Sequence, residues 1–219
     1  MAMRIYVICF LFAGLFISPH SPLLAKRTDS LIISGTLETG PNLVFQSRSQ
    51  VPNYKNGFMF RGGGGIALQR PSFYTFGVSL FYTAAMNQVD FPQFGTGNNL
   101  QTVQTLHFIE SVAYVERQLA INSPWVVGLR LGLPILASGN VRFKTLPEQE
   151  KRKSSKLNVQ PYWTLNPSIA LQFGYNFKNT SKMHYVYAFA SSCVLPVYKK
   201  DNPMRWVFLG LGYRFSLVV

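Results

Sequence analysis

The sequence predicts an all-β fold: an eight-stranded antiparallel up-and-down transmembrane β-barrel, preceded by a cleaved signal peptide. Three observations predict it. Hydrophobic residues fill 47% of the 219 positions and charged residues only 13%, whereas an ordinary soluble domain is roughly 25% charged. The apolar residues recur with a period of two rather than 3.6, the mark of strands with two chemically different faces. Beyond the N-terminal leader, no run reaches the ~18 apolar residues that a spanning helix needs; the best candidate, 125–137, is broken by Arg130 and Pro134. With aromatic residues at 15%, the chain also lacks the composition of a disordered one.

The leader comes first in the chain. Residues 1–25 carry Arg4, an apolar stretch from Ile5 to Ile17, a Ser/Pro/His segment and then Ala25, the layout of a secretory signal peptide. Cleavage is expected after Ala25, although Leu23 and Leu24 are larger than the residues preferred there. The remaining 26–219 have the length of one domain. Of two cysteines, Cys9 falls in the leader. Cys193 is then alone and can form no internal disulfide, so a secreted chain must be stabilised otherwise. A closed hydrogen-bonded barrel in lipid does this.

Eight strands follow. The first two segments, about 30–45 and 57–69, alternate weakly. The third is cleaner: Tyr74, Phe76, Val78, Leu80 and Tyr82 face one way, Thr75, Gly77, Ser79 and Thr83 the other. The fourth, about 104–119, is ambiguous. The fifth sets Trp125, Val127, Leu129, Leu131, Leu133 and Ile135 against Val126, Gly128, Arg130, Gly132 and Pro134. The sixth, 165–177, sets Leu165, Ile169, Leu171, Phe173, Tyr175 and Phe177 against Asn166, Ser168, Ala170, Gln172, Gly174 and Asn176. Pro167 cannot donate to a ladder, so this strand either bulges or starts after it. The seventh lies near 183–197. The eighth sets Val207, Leu209, Leu211, Tyr213, Phe215 and Leu217 against Phe208, Gly210, Gly212, Arg214 and Ser216. Short connections near 70–72, 120–124 and 178–182 alternate with mostly longer ones near 46–56, 85–103, 136–161 and 198–203. That alternation matches barrels with short periplasmic turns and longer outer loops.

The charges decide which face is inside. A membrane barrel is polar within and apolar towards lipid, the reverse of a soluble lipocalin-type barrel. Parity places Arg130 and Arg214 on the small, polar face, and the same logic adds Glu38, Arg61, Glu110 and Glu116. Three acids and three bases confined in a narrow lumen must pair. The glycines on that face, among them Gly77, Gly128, Gly132, Gly174, Gly210 and Gly212, leave volume for long charged side chains. The opposite face would aggregate in water and suits a bilayer. Trp125, Tyr162, Trp163, Tyr185 and Trp206 lie near strand ends, where interfacial aromatic girdles belong.

The alternating strands, the segment Ile109-Glu110-Ser111-Val112-Ala113-Tyr114 and the ending Leu209-Gly210-Leu211-Gly212-Tyr213-Arg214-Phe215 together resemble the small outer-membrane β-barrel superfamily of Gram-negative bacteria, with its OmpA-like, OmpX-like and PorT-like members. The resemblance extends over the whole chain after the leader, as a pattern rather than a motif. It implies residence in the outer membrane, contact with membrane lipid and lipopolysaccharide, and insertion by the barrel-assembly machinery. In that superfamily the last strand usually finishes on an aromatic residue; here Phe215 is followed by Ser216, Leu217, Val218 and Val219. The roles it implies are adhesive, structural or secretion-accessory, with a few enzymes.

Candidate chemistry is sparse, and a non-enzymatic protein without cofactor or metal is expected. His107 and Ser111 share a face, but four residues along a strand separate them by about 13 Å, too far for a nucleophile–base pair. His107 reads as a strand-end histidine at the membrane interface. The Gly62–Gly65 run lacks the Lys-Ser/Thr of a phosphate loop and fits a close-packed or bent wall better. Charge is more informative. The formal net charge is +13. The fifth connection holds Arg142, Lys144, Lys151, Arg152, Lys153 and Lys156 against Glu148 and Glu150, and the seventh holds Lys199 and Lys200 against Asp201. Facing outwards, these groups would attract lipopolysaccharide phosphates or anionic polysaccharide in a salt-sensitive manner. Nucleic acid is not an expected partner, since an outer-membrane site keeps it away. A small pore is the alternative, and a lipid-modifying enzyme using His107 a remote one.

Overall fold

The computed structural model describes residues 29–46, 53–70, 73–92, 99–120, 123–144, 154–156, 165–179, 182–195 and 204–219. The expected leader, with its cleavage point, lies outside them, as do Tyr162 and Trp163. The strands in chain order are β1 (Ser30–Gln46), β2 (Asn53–Tyr54), β3 (Gly57–Gln69), β4 (Tyr74–Pro92), β5 (Asn99–Gln118), β6 (Trp125–Lys144), β7 (Ser154–Lys156), β8 (Ser168–Asn179), β9 (Lys182–Cys193) and β10 (Met204–Val218). Eight are long; β2 and β7 are short additions that pair with β4 and β6.

The long strands close into a ring. β1 pairs with β3, β3 with β4, β4 with β5, β5 with β6, β6 with β8, β8 with β9, β9 with β10, and β10 returns to β1, every pair antiparallel. Closure gives each of these strands a neighbour on both sides, which is what a β structure needs where water cannot satisfy backbone groups. The outer surface carries large apolar side chains all round, with Leu37, Leu80 and Leu211 each more than half exposed. On β4 the band runs from Phe76 to Met86; ten residue steps on a tilted strand cover about 25 Å, the height of a lipid-facing band. Buried polar residues lie inside: Ser34, Thr36, Glu38, Arg61, Thr83, Glu110, Arg130 and Gln172 among them. The polarity is that of a membrane barrel.

Three expectations need correction. The strands reach further at the end of the barrel carrying the long connections: β4 continues to Pro92, β5 begins at Asn99 and β6 continues to Lys144. The expected loops 85–103 and 136–161 are shortened accordingly. Above the lipid band the outward residues turn polar, as Asn140 and Arg142 do, while Val89, Leu106 and Val141 are buried inside, so the lipid-facing alternation ends while the ladder continues. His107 consequently sits within β5 rather than at a strand end. Finally, Tyr185 and Trp206 are buried in the lumen, at 2% and 1% exposure, and only Trp125 of the described girdle candidates faces outwards. Parity governs here: Trp206 shares the face of Phe208 and Arg214, and proximity to a strand end does not override it.

The prolines mark an irregular seam. The β6–β8 ladder stops at Gly132↔Ser168, so β8 starts immediately after Pro167. The Asn166 N–H donates to the Pro134 carbonyl at 3.3 Å, and Pro134 has no N–H to return. The Asn166 side chain then takes over the role of a strand neighbour. Its Nδ2 donates to the Leu195 carbonyl, and its Oδ1 accepts from the Leu195 N–H, both at 3.0 Å.

Candidate functional site

The lumen is built from alternate residues of all eight long strands. Its centre holds four of the six charges singled out in the sequence. Glu38 on β1 accepts from Arg61 Nη1 on β3 at 3.1 Å and pairs with Arg130 on β6. The Tyr187 hydroxyl on β9 donates to Glu38 Oε1 at 2.5 Å. Arg61 Nη2 reaches Glu110 on β5 at 2.7 Å, and Ser168 on β8 donates to the same carboxylate at 2.9 Å. Nearer the short-turn end, Glu116 accepts from Arg214 Nη2 at 2.6 Å and from Gln172. Each guanidinium also lies against a ring: Arg61 on Phe81 at 4.2 Å, Arg130 on Tyr187 at 4.7 Å and Arg214 on Tyr185 at 4.8 Å. Such stacking suits a flat, weakly hydrated cation.

The structure thus brings all six charges inside and divides them into a cluster of four and a cluster of two. Sequence parity shows the faces, but not Tyr187, Gln172 or Ser168 as partners, because no local pattern pairs them with a carboxylate. Glycine makes the packing possible. A Cβ on Gly212 would collide with the hydroxyl-bearing end of the Tyr187 ring, and one on Gly132 would meet Glu110 and Ser168. Most of the space thus serves rings and amides rather than the charged chains alone. In the Gly62–Gly65 run, the Cβ of a larger residue at Gly63 or Gly65 would strike the backbone carbonyls of Leu80 and Val78, so the run is a tight stretch of barrel wall.

Three of the six basic residues lie on the adjoining strands β6 and β7. Arg142 is exposed on β6, and Lys144 ends the same strand. Lys156 belongs to β7, opposite Asn140. Lys151, Arg152 and Lys153, with Lys199 and Lys200, lie outside the described residues. On the membrane-facing surface, His107 Nδ1 and the Tyr82 hydroxyl are 2.6 Å apart, and Asn140 Nδ2 lies 3.4 Å from His107 Nε2. Ser111 shares that outward face, and Glu110 points into the lumen. Among the described residues, the hydroxyl that meets this histidine is that of Tyr82 and not that of Ser111. Near the opposite end, His184 Nδ1 similarly meets the Tyr213 hydroxyl at 2.7 Å.

Outside the spanning band, Asp90 on β4 meets Lys55 Nζ at 2.6 Å. The hydrogen bond from the Lys55 ammonium holds the Asp90 carboxyl below its usual range against the opposing effect of burial.

No family model matches this chain, and no curated protein does. Among solved structures, the chain is similar to Neisserial surface protein A (NspA), with 11% identity and a TM-score of 0.43 over 86% of this chain and 98% of that one. It is similar to Ail, the attachment invasion locus protein of Yersinia pestis, solved with the heparin analogue sucrose octasulfate, with 13% identity and a TM-score of 0.36 over 86% and 98%. It is also similar to the outer membrane protein OprG from Pseudomonas aeruginosa, with 14% identity and a TM-score of 0.35 over 85% and 95%. At these identities the likeness is one of fold.

Proposed function

We propose that this protein is a non-enzymatic outer-membrane β-barrel of a Gram-negative bacterium with a structural or surface-recognition role. The observation that carries the reading is the lumen. Ion pairs, stacked rings and amides occupy its centre, so the barrel serves as a rigid support rather than a wide channel. Recognition then belongs to the connections at the end opposite the short turns, which face outwards in this reading. Arg142, Lys144, Lys151, Arg152, Lys153 and Lys156 supply positive charge there for lipopolysaccharide phosphates or anionic polysaccharide. Barrel lipid and the barrel-assembly machinery are the partners this role requires.

Replacing those six residues by serine tests it. Binding of deacylated lipopolysaccharide carbohydrate to the reconstituted barrel should weaken, and the difference should shrink as salt rises. Unchanged binding at low salt would remove the recognition role and leave the support.

A further inference from the structure

We infer that the membrane-facing wall over β3, β4, β5 and β6 holds one molecule of a phosphate-bearing lipid lengthwise along β5, with its head at Tyr82, His107 and Asn140 and one acyl chain ending in a depression over Ser111 and Ala113. Large side chains make up most of the lipid-facing surface, but the outward row of β5 carries two small ones here. Ser111 stands between Leu80 on β4 and Leu133 on β6, and Ala113 between Val78 and Leu131. Gly64 on β3, opposite Leu80, also lines the gap. The depression measures about 540 Å³ and opens towards lipid. A water takes up about 30 Å³ and a methylene about as much, so roughly a dozen or more chain carbons fit. Bilayer hydrocarbon is what this height of the barrel meets.

What sets this depression apart from an ordinary gap between side chains is the polar cluster on the same strand, at the outer rim of the lipid band. His107 lies on the outward row of β5, four residues from Ser111 and six from Ala113, which is about 13 and 20 Å along the strand. A chain that starts at the cluster and crosses Ile109 ends in the depression. The ladder between β5 and β6 shifts register between His107 and Phe108, an irregularity of the kind that re-aims side chains. His107 Nδ1 meets the Tyr82 hydroxyl at 2.6 Å, and Asn140 lies 3.4 Å from Nε2. These contacts leave a donor over, whichever nitrogen carries the proton. With Nδ1–H donating to the tyrosine oxygen, the Tyr82 O–H remains. With the Tyr82 O–H donating to Nδ1, the Nε2–H goes to the Asn140 carbonyl oxygen and the Asn140 amide N–H groups remain. An imidazolium leaves both. The cluster therefore seeks an acceptor. Arg142, exposed on the same face two residues beyond Asn140, adds positive charge, and a phosphate meets both requirements. The assignment rests on the reading that the long connections face outwards, where such a lipid is the lipid part of lipopolysaccharide.

Native mass spectrometry of the barrel released from detergent micelles tests this, with hexa-acylated lipid A as the probe. The folded barrel should retain one lipid A. S111L/A113L fills the depression with side chains suited to the lipid face. It should keep the heat-dependent gel shift of a folded barrel and retain lipid A at least fivefold less. A113L alone serves if the pair does not fold, and should lower retention about threefold. H107A/N140A should reduce the preference for lipid A over its dephosphorylated form at least threefold. Inorganic phosphate at millimolar concentration should displace nothing, because it has no chain. Equal retention in S111L/A113L, no preference for the phosphorylated form, or displacement by inorganic phosphate overturns the proposal. So does a dimer that S111L/A113L converts to monomer, which would put a second copy of the chain in the depression. The loop reading is tested with deacylated carbohydrate, which has no chain to place, and S111L/A113L leaves its six residues intact, so failure of that reading and failure of this one are separable.

Discussion

Tyr187 and Glu38 lie 149 positions apart in the chain, yet the tyrosine hydroxyl donates to the Glu38 carboxylate at 2.5 Å in the middle of the lumen. The same carboxylate receives Arg61 and Arg130. One buried acid thus ties together β1, β3, β6 and β9, and much of the interior order depends on it.

Glu38→Gln tests that dependence. It keeps the shape and removes the charge, leaving Arg130 buried without a described counter-ion. Breaking a buried pair from one side costs about 3–5 kcal/mol. Urea unfolding of the barrel in lipid vesicles should show a destabilisation of that order. A loss under about 1 kcal/mol would mean that water reaches Arg130.

The filled lumen predicts electrical silence. The native protein in a planar bilayer should show no steady ohmic conductance. Arg130→Ala removes a guanidinium from the centre and Glu116→Ala removes the counter-ion of Arg214, so the pair of substitutions should produce resolvable openings. A high conductance in the unmutated protein would replace the support reading with that of a small pore.

Packing around Tyr187 gives a third prediction. In Gly212→Ala the new methyl collides with a ring that Glu38 and Arg130 hold in place, and overpacking of this kind costs about 1–3 kcal/mol. Gly212→Ala should lower the temperature at which the barrel loses its compact gel mobility. Combining it with Tyr187→Leu, which takes the ring away, should make the alanine nearly neutral.

Asp90 and Lys55 carry the pH dependence of the region beyond the lipid band. The folded carboxyl is held below its usual range, so the contribution of the pair is fully present above the unfolded value of about 3.9. It is lost as pH falls through the depressed folded value. The Lys55 N–H, which donates to the Gln88 carbonyl at 2.8 Å, should therefore keep its exchange protection down to about pH 4, corrected for intrinsic rates, and lose part of it below. In Asp90→Asn that acid-dependent loss should vanish.

Much of this architecture was legible in the chain. Period-two alternation showed which residues of β4, β6, β8 and β10 face lipid, because successive strand residues point to opposite sides whatever their neighbours are. The same parity sent Glu38, Arg61, Glu110, Glu116, Arg130 and Arg214 inwards, and Pro167 announced where β8 could not begin. The extent of β4, β5 and β6 beyond the membrane was not legible. There the backbone ladder is kept, but the outward face is polar and apolar residues such as Val89, Leu106 and Val141 turn inwards, so a search for an apolar lipid-facing row ends too early.

What the sequence determined by itself is the set of residues inside the barrel and the set outside, since that follows from local alternation and the demand that a bilayer makes on exposed side chains. Which of the inner residues meet was decided only in the tertiary structure. Ring closure between β1 and β10 and the stagger of eight strands bring Tyr187 to Glu38, Gln172 to Glu116 and Ser168 to Glu110. Strand alternation is a property of neighbouring residues, whereas partner choice depends on register accumulated around the whole barrel.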